Sequence, residues 1–149
     1  MAERIPFIAG NWKMNKTLSQ AIDTVTKLKE LIEDVQDVEV AVCPPFIALD
    51  AVVKVLIRSN IAVGAQNCFW EEKGAYTGEI SPLMLADIGC RYCIVGHSER
   101  RKYFGETDAN VNRKVRALYQ FGLLPIICVG ETLEQRQQGL TMNVVEEQI

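Results

Sequence analysis

The sequence has one histidine, His97, and no excess of positive charge: 16 Lys and Arg stand against 19 Asp and Glu, a net charge of −3. Without a basic face, a nucleic-acid ligand is excluded, because neutralising phosphates needs clustered Lys and Arg. No apolar run approaches the roughly 18 to 20 residues of a membrane span. The opening Met1-Ala2-Glu3-Arg4 leads only into the short apolar run Ile5 to Ala9, too little for a signal peptide. These absences give the expectation of a cytoplasmic protein. No linker, low-complexity tract or charge block interrupts the chain, so one domain over residues 1–149 is expected.

Several standard chemical motifs are also missing. The first strand–helix turn reads Gly10-Asn11-Trp12-Lys13, with neither a G-x-G-x-x-G nor a Walker loop. There is no G-x-S-x-G elbow. Tyr92, Tyr103 and Phe104 lie in no basic run and offer no base-stacking platform. Cys90 and Cys93 form a C-x-x-C, a redox or half-zinc signal. There is no second such pair, and with one histidine a four-ligand zinc site cannot be assembled. The five cysteines, Cys43, Cys68, Cys90, Cys93 and Cys128, sit in apolar stretches and read as reduced, buried thiols.

What is present is an ordinary globular composition, 48% hydrophobic and 23% charged. Strand-length apolar runs recur at Pro6 to Ala9, Val38 to Val42, Ile61 to Ala65, Tyr92 to Val95 and Leu124 to Val129. Between them lie helical patterns. Leu18, Ala21, Ile22, Val25, Leu28 and Ile32 form one stripe, with Thr17 and Gln20 as a capping box. Leu49, Val52, Val53 and Leu56 mark a second helix, Ser81 to Ala86 a short segment, and Val111, Val115 and Leu118 another helix ending at a Gly122 cap. Thr132 and Gln135 offer a second capping box, and Thr141 to Ile149 reads as the opening of a helix in which the chain stops. Strands alternating with helices imply a parallel sheet, and unbroken apolar strands imply that both sheet faces are covered. The expected fold class is therefore α/β.

In such folds, ligands sit at the carboxyl ends of the strands. Asn11 and Lys13 follow the first strand, Gln66 and Asn67 the third, His97, Ser98 and Glu99 the fourth, and Glu131 the fifth. Lys13 is either a pocket cation that stabilises a developing oxyanion or an ordinary surface lysine. Asn11 either donates to a substrate oxygen or caps a turn. His97 opens a helix at Ser98-Glu99. There it is either a structural cap or a neutral donor, since a helix N-terminus disfavours protonation of a nearby imidazole. Glu99 and Glu131 are either partners for a cation or favourable first-turn carboxylates. Cys128 reads as packing, since no second histidine exists to activate it.

Ala9-Gly10-Asn11-Trp12-Lys13-Met14-Asn15 resembles the opening motif of the triosephosphate isomerase family, and Val95-Gly96-His97-Ser98-Glu99-Arg100-Arg101 its histidine motif. Gln66-Asn67-Cys68 with Gly74 to Ser81 resembles its third loop, and Cys128-Val129-Gly130-Glu131 the segment after its fifth strand. The resemblance runs from Ile5 to the last residue. It implies a partial TIM (β/α)8 barrel of about five units, broken off within the helix after the fifth strand. It also implies interconversion of dihydroxyacetone phosphate and glyceraldehyde 3-phosphate without metal or organic cofactor. By that resemblance Asn11 and Lys13 bind the triose phosphate, His97 is the neutral electrophile, Glu99 supports Lys13, and Ser98 sits beside the base. Thr77, Glu79, Arg100 and Met14 would lie at a homodimer contact; residues 73–78 taken alone read as a flexible surface hairpin, but the length of the loop and its apolar Phe69, Trp70 and Tyr76 favour an interface. The family's glutamate base follows a sixth strand. This chain is accordingly expected to lack it, to be inactive alone and to associate through open edges. The alternatives are a phosphate-ligand binding module and a non-catalytic half-barrel that assembles.

Overall fold

The computed structural model describes residues 4–149. Met1, Ala2 and Glu3, which begin the short opening segment, lie outside the described residues. In chain order the elements are β1 (Phe7–Asn11), α1 (Leu18–Leu31), β2 (Glu39–Cys43), a 3-10 turn (Phe46–Ala48), α2 (Leu49–Val55), β3 (Ile61–Ala65) and α3 (Pro82–Asp87). They continue with β4 (Tyr92–Val95), α4 (Ser98–Phe104), α5 (Asp108–Gln120), β5 (Leu124–Ile127), α6 (Leu133–Gln137) and α7 (Thr141–Gln148). The five strands form one sheet in the order β1-β2-β3-β4-β5, and every neighbouring pair is parallel. Each return to the amino-terminal edge is made through helix, as parallel pairing requires.

The local signals act where the sequence places them. Thr17 caps α1: its hydroxyl accepts from the Gln20 amide, and its own amide donates to Gln20 Oε1 at 2.9 Å. Thr132 and Gln135 repeat the arrangement at α6. Thr107 and Asn110 do so at α5, with an Asn in place of the usual Glu or Gln. At the end of α5, Gly122 takes φ 71°, its amide donates to Tyr119 O at 3.2 Å, and the Leu123 amide reaches Leu118 O at 3.0 Å. That is the paired closure of a Schellman motif.

Several element bounds differ by a few residues from the sequence reading. β1 extends through Gly10 and Asn11, because the parallel ladder pairs them with Val42 and Cys43. β5 stops at Ile127, although the Cys128 amide still donates to Val95 O at 2.9 Å. The fourth strand runs from Tyr92 to Val95, as expected, so Cys90 lies in the turn before it. Both thiols of the C-x-x-C are free and buried.

One core joins the strands to the helices. Val42, Val63, Cys93 and Val95 pack with Ala21 and Val25 of α1, Leu49 and Val52 of α2, Leu85 of α3, and Val111 and Leu118 of α5. The sheet is curled about its other face. In a flat sheet, three strand spacings of about 4.8 Å would hold β1 and β4 about 14 Å apart. Yet the rings of Phe7 (β1) and Tyr92 (β4) lie 4.7 Å apart, and Tyr92 OH donates to Glu39 of β2 at 2.5 Å. The strands thus form an open arc, with the first residues of β1, β2 and β4 meeting across its concave side.

Candidate functional site

At the carboxyl ends of the strands the same curl brings the residues after β1 and those after β4 around one cavity of about 360 Å³, with Lys13 and Glu99 in contact across it. Asn11, Lys13, Gln66, His97, Glu99 and Arg100 supply its polar lining, while Leu49, Phe46 and Ile80 supply apolar wall. Met14 and Glu79 reach the same cavity.

Lys13 sits in the left-handed region, φ 54°, an uncommon conformation for a residue with a side chain. Its backbone is held on both sides. The Lys13 amide donates to Asn11 Oδ1 at 2.9 Å, and its carbonyl accepts from Gln66 Nε2 at 2.9 Å. Gln66 also donates to Cys43 O at 2.8 Å, which ties the end of β3 to the end of β2. The ammonium is aimed by Glu99, whose Oε1 lies 2.6 Å from Lys13 Nζ. The hydrogen bond from Lys13 holds the Glu99 carboxyl below its ordinary range. The pair is half exposed, so its worth is in orientation more than in stability.

His97 is the N-cap of α4. Its Nδ1 accepts from the Glu99 amide at 3.2 Å, satisfying one of the helix's free donors. A nitrogen that accepts carries no proton, so in this arrangement the ring's proton is on Nε2. The 3.5 Å approach of Glu99 Oε2 to the same Nδ1 is therefore no ion pair; that carboxylate is engaged by Lys13. Immediately before His97, Gly96 takes φ 72°, and a Cβ there would meet Arg101 Nη2 at 3.0 Å and Cys128 O at 3.1 Å. Both the backbone conformation and the space exclude any residue larger than glycine.

Chemically, the cavity combines a cation, an imidazole N–H donor and an amide whose oxygen is already committed to Lys13. Such a set attracts a small anion and hydrogen-bonds its oxygens. Not every candidate lies in it. Ser98 opens α4 but is exposed and does not line the cavity; neither does Thr77. Glu131 accepts from Arg136 at 3.4 Å and Thr141 at 3.3 Å, and also lies off the cavity. Asn67 does line the cavity, but its side-chain oxygen is used internally, accepting from Lys114 Nζ at 2.7 Å. Residues 66–80 form no strand; they fold around Phe69, whose ring lies 4.1 Å from Trp70 and 4.6 Å from Tyr76.

Behind His97 lies a buried charge cluster to which nothing in the sequence points. Glu106 Oε2 accepts from the Gly96 amide at 3.1 Å, and its Oε1 is hydrogen-bonded to Lys114 Nζ. Both side chains are almost fully buried. In the sequence each reads as the solvated face of a helix or loop.

Comparison with known proteins agrees with this arrangement. Residues 6–149 match the family model for triosephosphate isomerase. The triosephosphate isomerase of Moorella thermoacetica is 59% identical over 146 residues, covering 98% of this chain and 58% of that protein. That of Carboxydothermus hydrogenoformans is 58% identical with the same coverage. The chain thus spans a little under three-fifths of the length of these curated relatives. The crystal structure of triosephosphate isomerase from Bartonella henselae superimposes with a TM-score of 0.92 at 41% identity, over 97% of this chain and 60% of that one. The open arc of parallel strands is therefore part of a TIM barrel, and with the family match over nearly its whole length the chain belongs to the triosephosphate isomerase family.

Proposed function

We propose that this chain supplies the electrophilic side of a triosephosphate isomerase active site, which interconverts dihydroxyacetone phosphate and glyceraldehyde 3-phosphate through an enediolate. Lys13 attracts the anionic substrate and offsets charge developing on its oxygens. Asn11 hydrogen-bonds the substrate. His97, neutral and protonated on Nε2, polarises the carbonyl and passes protons between the two enediolate oxygens; a neutral histidine in this enzyme is a known pattern of such sites. Glu99 keeps the Lys13 ammonium in place. No metal or organic cofactor takes part. The reading rests on one observation: Lys13, Asn11 and His97 line a single cavity at the carboxyl ends of β1 and β4.

The reaction also needs a base at the carbon next to the carbonyl, within hydrogen-bond reach of its proton. Among the described residues, two carboxylates line the cavity, Glu99 and Glu79. Glu99 is engaged by Lys13, and Glu79 is exposed on the 66–80 segment. Neither is placed as a base, so we infer that the chain alone is inactive and that the base comes from sequence which the longer relatives carry. Ser98 would then face that base. In the complete enzyme, Met14, Thr77, Glu79 and Arg100 would form the contact of a cytoplasmic homodimer. A second reading, a half-barrel that assembles without catalysis, is favoured by the exposure of Ile8 (61%) and Ile127 (45%) on the outer strands.

The test is isomerase activity of the purified chain, alone and mixed with a polypeptide spanning the carboxyl-terminal part of a close relative. Activity is expected only on mixing, and His97→Gln should lower it by about 10²- to 10⁴-fold, the usual contribution of a proton-transfer group. Assembly without any activity would favour the second reading.

A further inference from the structure

The cluster behind His97 is built on two buried charges, and burying charge is costly unless each group is paired. One oxygen of Glu106 meets Lys114, and Lys114 extends the link to Asn67 Oδ1 at 2.7 Å, at the start of the segment after β3. The other oxygen is spent on the Gly96 amide at 3.1 Å. Gly96 lies just beyond β4, so its N–H needs a partner from elsewhere. The next peptide is held from the opposite side. Arg101 Nε donates to Gly96 O at 2.8 Å, and Arg101 is itself fixed by Asp108 Oδ1 at 2.5 Å. Both peptide groups of the residue preceding His97 are therefore held by side chains from elsewhere in the chain, none of which lies on a strand.

We propose that Glu106, charge-balanced by Lys114, and Arg101 are positioning residues for His97: together they fix the Gly96 backbone so that the imidazole meets the Glu99 amide through Nδ1 and keeps its proton on Nε2. The inference deepens the reading of His97 as the working donor and rests on it. An amide at position 106 cannot replace the carboxylate. Its single oxygen can serve Lys114 or Gly96, and its NH2 then faces the other donor. A lysine at position 101 keeps the charge but loses the fork that serves Gly96 and Asp108 together.

His97 is the only histidine in the sequence, so the imidazole spectrum of the chain contains one residue. The chain is labelled with 15N-histidine and read by magic-angle-spinning NMR, which needs no substrate and tolerates association. In the unmodified chain Nδ1 should resonate as an unprotonated acceptor and Nε2 as protonated. Glu106→Gln and Arg101→Lys should move Nδ1 toward the protonated range and broaden both signals. Leu118→Ala, which opens the core of α5 away from Gly96, should leave them in place. Signals in E106Q and R101K that match those of L118A would overturn the proposal. Should both variants fail to fold, hydrogen exchange of the Gly96 amide in the unmodified chain decides: exchange as slow as that of Val95 supports the clamp, and exchange at the rate of an exposed loop refutes it. Because none of these readouts involves turnover, a failed isomerase assay would count against the proposed function without touching this result.

Discussion

Strands β2 to β4 and strands β1 and β5 are similarly apolar in sequence but differ in their surroundings. On β4, Val95 and Cys93 are fully buried; on β1, Ile8 is 61% exposed, and on β5, Ile127 is 45% exposed. The central strands have a neighbour on each side and helices beneath. Among the described residues, the outer strands each have one neighbour and a free edge. An unbroken apolar run thus records that a strand's faces require cover, but the cover is a property of what lies next to it.

Substitutions in the core and on the outer strands should behave differently in solution. The largest effect belongs to the core. Leu85→Ala should cost about 2–5 kcal/mol in urea unfolding, because it removes buried methyl groups and leaves a cavity. Ile8→Ala should stay within about 0.5 kcal/mol, as for a surface substitution. Equal losses would mean that the outer strand is covered in solution.

The cysteines probe the same difference with pH. Burial pushes the Cys43 and Cys90 thiols from 9.0 up to about 12. A raised value in the fold means that the neutral thiol is favoured there. The stability it contributes is present below pH 9 and lost as pH climbs from 9 toward 12. Unfolding should therefore become easier across that window. Cys93 is likewise raised, by its hydrogen bond with Cys68 and then by burial. Cys128, just past β5, is only half-buried, and Arg101 opposes its upward shift. Alkylation at pH 8 should label Cys128 before Cys43, Cys90 or Cys93; the reverse order would contradict the burial described. The smallest effect on stability is expected for Ile8→Lys with Ile127→Lys. These changes should reduce association in sedimentation velocity while leaving the unfolding midpoint nearly unchanged, since charged residues blunt an open edge.

The parts of this structure legible in the sequence are those governed by near neighbours. The capping boxes at Thr17 and Thr132, the Gly122 closure and the helix start at His97 depend on residues within about five positions, and each acts where the pattern places it. The strand–helix alternation follows from hydrophobic period alone. Among the long-range polar pairs, Lys13 with Glu99 follows from the strand ends and the family resemblance, but the others carry no such signal. Gln66 reaches Lys13 across 53 positions and Lys114 reaches Asn67 across 47, and neither carries a local mark of its partner. Glu106 and Lys114 carry the least signal of all, because a charged residue within or beside a helix ordinarily faces water. Lys13 and His97 could be nominated from the strand ends, but only the curl of the sheet brings them to one cavity.

Deuterium wash-in decides whether this chain holds the electrophile and lacks the base, as proposed. Dihydroxyacetone phosphate is incubated in D2O with the purified chain, and deuterium at the carbon bearing the hydroxyl is followed by NMR. No incorporation above the uncatalysed rate is expected from the chain alone, with rapid incorporation once the carboxyl-terminal part of a relative is added. Incorporation by the chain alone, abolished in Glu79→Gln or Glu99→Gln, would show that it contains its own base and contradict the claim.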